Sequence, residues 1–184
     1  MANICCTNVR YKGEYKYLNK IKQVIPSRID GYDLLKKLNL PTNICTVGFV
    51  AGLEFKEDAL EIWIDDRWSP QLKLWKELPG MLGIQDKVEL SFSAEECGEG
   101  IYWKSNNYNE SPNFYIDFCL GHYDDRLDAD TEEDLIKKLT SLFNKELKTM
   151  EEWHDFLSEY NENNMNDYCY IREFETVEID DLIA

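Results

Sequence analysis

The chain is short of positive charge. Its 184 residues hold 20 Lys and Arg against 36 Asp and Glu, a net charge of −16. That balance argues against non-specific nucleic-acid binding, because phosphate contacts need cations. Histidine is scarce too. His122 and His154 stand far apart, so a zinc site would need the fold to bring them together with cysteines. Long apolar runs are missing; none approaches the roughly 20 residues of a spanning helix. The start Met1-Ala2-Asn3-Ile4-Cys5-Cys6 has no basic or apolar leader region, so no signal peptide is expected. There is no P-loop, no G-x-G-x-x-G, no G-x-S-x-G and no H-E-x-x-H. The expectation is a cytoplasmic protein with no cofactor, no metal and no membrane partner.

Hydrophobic residues make up 43% and aromatics 13%, enough for a buried core. The six cysteines, Cys5, Cys6, Cys45, Cys97, Cys119 and Cys169, include no C-x-x-C pair. Without a secretion signal they read as thiols rather than disulfides. Cys5 and Cys6 are neighbours on a predicted strand, so their side chains should point to opposite faces.

Charge is unevenly spread. Residues 1–50 hold eight Lys/Arg and three Asp/Glu; the remainder holds twelve and thirty-three. The acidic part reads either as a solvated surface or as a face for a basic partner. The local cations Lys12, Lys16, Lys20, Lys22, Lys36 and Lys37 keep nucleic-acid binding by the N-terminal region as an alternative.

Periodicity predicts the elements. Ile4 to Tyr11 reads as a strand, and Glu14 to Ile25 as a helix with Leu18, Ile21 and Ile25 inward. Asp30 caps a short helix with Leu34, Leu35 and Leu38 on one side. Ile44 to Phe55 and Leu60 to Ile64 form a hairpin turning at Glu57-Asp58. Ser69 is predicted as N-cap with Pro70 at the first helical position, a strong local start signal. Trp68 is expected to be at least partly buried there, and Pro79-Gly80 to end the helix. Val88 to Ser93, Ile101 to Lys104 and Phe114 to Leu120 are strands. Thr131 and Thr149 each open a helix, the second with a capping box to Glu152. Tyr168 to Ile179 reads as one closing strand.

The order over residues 1–105 is the split βαβ plan. The predicted fold class is therefore α+β: a ferredoxin-like core, an antiparallel sheet with helices on one face. Residues 106–184 form a C-terminal α/β extension, with two helices and a closing strand, packed on the core as one unit.

Few residues suggest chemistry. Glu95-Glu96-Cys97-Gly98-Glu99-Gly100 places paired carboxylates in a glycine loop, which suits acid–base work only inside a pocket. Asp124-Asp125-Arg126-Leu127-Asp128-Ala129-Asp130 fails the EF-hand pattern, since the sixth position from Asp128 is Glu133. It reads instead as the acid-rich start of a helix. Glu95, Glu96, His122 and Asp124 are the candidate site residues. Tyr102, Trp103, Tyr108 and Tyr115 are candidates for a stacking platform, though no RNP pattern accompanies them.

Met1 to Val9 followed by Gly13, Arg67-Trp68-Ser69-Pro70, and Ser91-Phe92-Ser93-Ala94-Glu95-Glu96 leading to Tyr102 resemble the YubB-type ferredoxin-like domain family over about residues 1–105. Ile4 stands where that family tends to have Trp, and Gln71 where it tends to have a second Pro. The resemblance implies the fold and a bacterial, plasmid or phage mobile-element setting. It implies no catalytic residue. The function expected is a non-enzymatic protein-interaction module with an acidic surface and a basic partner. The first alternative is a small-molecule binder or enzyme using a polar cleft between sheet and extension. The second is nucleic-acid binding by the basic N-terminal region.

Overall fold

The structure, a computed structural model, describes residues 3–41 and 48–183. Its strands are β1 Ile4–Gly13, β2 Phe49–Lys56, β3 Ala59–Arg67, β4 Val88–Glu96, β5 Ile101–Lys104, β6 Phe114–Leu120, β7 Tyr123–Ala129, β8 Tyr168–Glu173 and β9 Glu175–Thr176. Its helices are α1 Tyr15–Val24, α2 Gly31–Lys37, α3 Lys73–Met81, α4 Glu132–Phe143, α5 Met150–Asn163 and α6 Ile179–Leu182. The class is α+β, with mostly antiparallel sheets. Two units form: Met1–Tyr108 with Glu175–Ala184, and Asn109–Phe174.

In the first unit six strands run in the order β2-β3-β1-β4-β5-β9. β1 is antiparallel to both β3 and β4. Its alternation buries Cys5, Thr7, Val9 and Tyr11, while β3 buries Leu60, Ile62, Ile64 and Asp66 on the matching rows. Leu18 and Ile21 of α1, Leu34 and Leu35 of α2, and Trp75 and Leu78 of α3 close one core over them. The β2–β3 hairpin turns at Glu57-Asp58 as predicted. The first part of its predicted first arm, including Cys45, lies outside the described residues.

The strand-to-helix junction differs from its prediction. β3 continues to Arg67, Trp68 turns the chain at φ +68° and is 51% exposed, and α3 begins only at Lys73 with Leu72 as N-cap. Ser69 caps nothing. The acceptor that organises this turn is Asp66, whose Oδ2 accepts from Gln71 N at 3.0 Å. A buried carboxylate outcompetes a surface hydroxyl for that N–H, because charge-assisted bonds are roughly twice as strong as neutral ones. Pro79 does not end α3 but lies inside it. Its missing N–H leaves the Trp75 carbonyl without a helical donor, and the Tyr11 hydroxyl donates to that carbonyl instead.

The second unit is a three-stranded antiparallel sheet, β7-β6-β8. Its core joins Ile116 and Phe118 of β6, Leu135 and Leu139 of α4, Trp153 and Leu157 of α5, and Cys169. Both helices start as predicted. Thr131 Oγ1 accepts from Asp134 N, and Thr149 makes the full capping box with Glu152. The acidic run at Asp124 is strand β7, not a helix start. Gly121-His122 forms a two-residue hairpin turn, with Gly121 at φ +66°. The predicted closing strand is split. β8 pairs with β6 in the second unit, β9 pairs parallel with β5 in the first, and Ile179 begins a helix.

Among the described residues, no helix is long and apolar enough to cross a membrane.

Candidate functional site

The four candidate residues are divided between the units. Glu95 and Glu96 end β4 in the first, on opposite faces by strand alternation. Glu96 is 4% exposed and closes its own turn, accepting from Gly98 N at 3.0 Å and from Glu99 N. His122 and Asp124 belong to the second unit and are exposed. Asp124 accepts from the Tyr168 hydroxyl at 3.3 Å. Of the four rings considered for stacking, Tyr102, Tyr108 and Tyr115 are buried.

Sequence periodicity did not single out Asp66. It occupies the core-facing position after Leu60, Ile62 and Ile64, and that break in an apolar alternation was the available signal. Its carboxylate is fully buried and accepts from Thr7 Oγ1 at 2.9 Å, Gly48 N at 2.9 Å and Gln71 N at 3.0 Å. Gly48 must be glycine here, since a Cβ would stand 2.2 Å from the Asp65 carbonyl oxygen. Burial pushes the Asp66 carboxyl above its usual range, against the pull of those bonds. Register pairs Cys5 with Asp66 on β3, while pairing with β4 begins at the next residue, Cys6, opposite Glu95. Burial, with a smaller push from the Asp66 and Glu96 charges, holds the Cys5 thiol up at about 12, so it stays protonated at neutral pH. The chemistry of Asp66 is structural: two turns are tied to one end of the sheet.

Among the described residues no two cysteines are joined, and Cys5 is buried while Cys6 is exposed, as strand alternation requires. Cys169 is fully buried and likewise pushed up to about 12. A short alkylation pulse on native protein should therefore modify the exposed Cys97 well before Cys5 and Cys169. Equal labelling of the three, read by peptide mass spectrometry, would contradict this burial.

The surface with most chemical character is on the second unit. The Thr149 capping box starts α5 and sets its rotation. Trp153 and Leu157 turn into the core, with Phe156 and Tyr160 packed beside them against Phe143. The outer side then carries Glu151, Asp155, Glu159 and Glu162, and no Lys or Arg occurs in the helix. β7 adds exposed Asp124, Asp125 and Asp128. Asp125 is held below its usual range by the Tyr123 hydroxyl at 2.7 Å, then by Arg126 N. Glu152 is lowered by the Lys148 and Thr149 N–H groups. Both stay charged at neutral pH.

Between α5 and β8 lies an open groove of about 430 Å³, lined by His154, Leu157 and Ser158 on one side and Tyr170 and Ile171 on the other. The cations of the first unit are largely engaged at home. Lys12 pairs with Asp58 at 3.2 Å and Lys16 with Glu14 at 2.9 Å, while Lys22 lies over Phe55 and Lys36 over Tyr32. The described residues contain no group of three or more His, Cys, Asp or Glu suited to a metal ion.

No protein-family model, no curated protein and no solved structure matches this chain.

Proposed function

We propose that this protein is a non-enzymatic interaction module that docks a basic protein through the acidic surface of its second unit. The carrying observation is α5: five Asp and Glu and no Lys or Arg in a 14-residue helix whose inner side is fully committed to the core. A helix face of one sign raises the local concentration of a cationic partner and sets its orientation. Each exposed pair contributes little alone, about 0–1 kcal/mol, so the surface works as a group.

The first unit is read as a ferredoxin-like scaffold of the YubB type. The order β2-β3-β1-β4, antiparallel at every step, with helices in the β1–β2 and β3–β4 connections, supports that reading. The enzyme reading through Glu95, Glu96, His122 and Asp124 takes second place, because Glu96 is spent on its own turn and His122 and Asp124 are exposed.

Titration of the full-length protein with a lysine-rich peptide, followed by NMR, tests the reading. Amide shifts should concentrate on α5 and vanish at high salt. Changing Glu151, Asp155, Glu159 and Glu162 to their amides should weaken binding about tenfold, a difference of ~1.4 kcal/mol. Unchanged affinity in that variant, or shifts spread evenly over both units, would sink the reading.

A further inference from the structure

Asn161, in the last turn of α5, makes with Cys169 both hydrogen bonds that a neighbouring strand would make. Its Nδ2 donates to Cys169 O at 2.9 Å, and Cys169 N donates to its Oδ1 at 2.8 Å. A side-chain amide has the donor and acceptor of a peptide group, so Asn161 occupies the place of the next strand for one residue. This is the outer side of β8, which pairs only with β6 and forms one edge of its sheet. Alternate residues of an antiparallel strand present their backbone groups to the same side. Cys169, Ile171 and Glu173 therefore all face outward, and Asn161 serves only the first.

We infer that the β8 edge at Ile171 and Glu173 receives an extended, basic segment of a partner protein as an added strand, with Asn161 marking where the pairing stops. This rests on the reading of the second unit as an acidic docking surface, and adds the binding mode and the pattern of the segment.

The other long sheet edges are protected. β7 carries Asp124, Asp125 and Asp128. β2 is bulged between Val50 and Gly52 and bridged at Val50 by Ile29. Charges, bulges and covering segments are the usual means of blunting an edge. Tyr168–Glu173 contains no Pro and no bulge, and of its two charged residues Arg172 is turned to Asp117 on β6 at 3.6 Å.

The groove beside β8 offers Leu157 and Ile171 to the inward side chains of an added strand, whose alternate side chains point away. Glu162 lines the same groove, and exposed Glu173 lies two residues along β8 on the face of Ile171, so Lys or Arg is selected among the inward side chains of the added strand. A second copy is the poorer occupant, because edge-to-edge pairing would set the same acids against each other.

The probe is a capped peptide of roughly eight residues repeating Val-Val-Lys-Lys, so that each of its faces carries both Val and Lys. A twin methylated at every second backbone nitrogen keeps the charge and loses the hydrogen-bond donors of one edge. On the full-length protein, the plain peptide should shift the Ile171 and Glu173 amides and slow their hydrogen exchange, and the twin should bind at least about tenfold more weakly. Ile171→Pro removes one outward N–H at an edge, where proline is tolerated. It should lower the plain peptide to the twin's affinity, with circular dichroism confirming the fold. The twin on unaltered protein gives the answer even if that variant misfolds. Equal binding of the two peptides would overturn strand addition while leaving the acidic surface standing. No binding by either would overturn both. Protection of Ile171 that grows with protein concentration in the absence of peptide would replace the basic segment with a second copy.

Discussion

Asp66→Ala is expected to destabilise the protein by about 2–4 kcal/mol, because it removes the acceptor of three donors at once. The Thr7 hydroxyl is buried, and the Gly48 and Gln71 N–H groups are partly so. Each buried donor left unpaired costs roughly 1–3 kcal/mol, and water reaching the two backbone groups keeps the total below the full sum. Asp66→Asn keeps one carbonyl acceptor but turns its NH2 toward an N–H, so it should fall between wild type and alanine.

The pH dependence has a definite sign. Burial raises the Asp66 carboxyl above its ordinary value of 3.8 in the folded protein. Folded protein therefore holds this proton more tightly than unfolded chain. The group's contribution is fully present below the ordinary value and is lost as pH rises through the raised one. Denaturant melts at several pH values should show wild type losing stability relative to Asp66→Asn as pH rises through that window. A constant difference across it would contradict the raised carboxyl. Asp66→Ala melting with wild type would show that the three bonds carry nothing.

Tyr11→Phe should cost about 1–3 kcal/mol, since it leaves the Trp75 carbonyl inside a core where Tyr11 and Trp75 are both fully buried. The effect should depend on Pro79. In a Pro79→Ala background, residue 79 has an N–H for the i−4 carbonyl, which is that of Trp75. Losing the phenol should then matter less. The double-mutant cycle should give a coupling of about 1 kcal/mol, within the range of residues sharing one hydrogen-bond network. Strict additivity of the two changes would mean that Tyr11 does not stand in for the missing helical donor.

Both effects depend on residues whose roles were hidden in the sequence. Asp66 looks like one of two acids ending a strand, and only the continued register of β3 against β1 turns it inward. Pro79 beside Gly80 reads as a stop signal by every local rule. The helix passes through it because a phenol from β1, 64 positions before Trp75, satisfies the Trp75 carbonyl that proline abandons. The Ser69-Pro70 signal failed for a related reason. Its hydroxyl competed with a buried carboxylate for the N–H groups of the turn, and lost. Asn161 reads as a residue of a loose polar stretch until Cys169 is brought beside it.

Where an element is set by its own side chains, the sequence was sufficient. The alternation of Cys5, Thr7, Val9 and Tyr11, the apolar spacing of α1, the Glu57-Asp58 turn, and the Thr131 and Thr149 caps all act within a few residues of themselves. Hydrophobic period and capping chemistry decide them before any tertiary contact forms. Composition likewise determined the acidic character. Tertiary structure alone decided which strand pairs with which: that Tyr168 to Thr176 divides between two sheets, that Asp124 to Asp128 is a strand rather than a helix start, and that β8 is left as an edge. Strand pairing joins residues far apart in the chain through backbone groups that every residue carries. Side-chain identity marks a strand's faces, and only the folded sheet determines its neighbours.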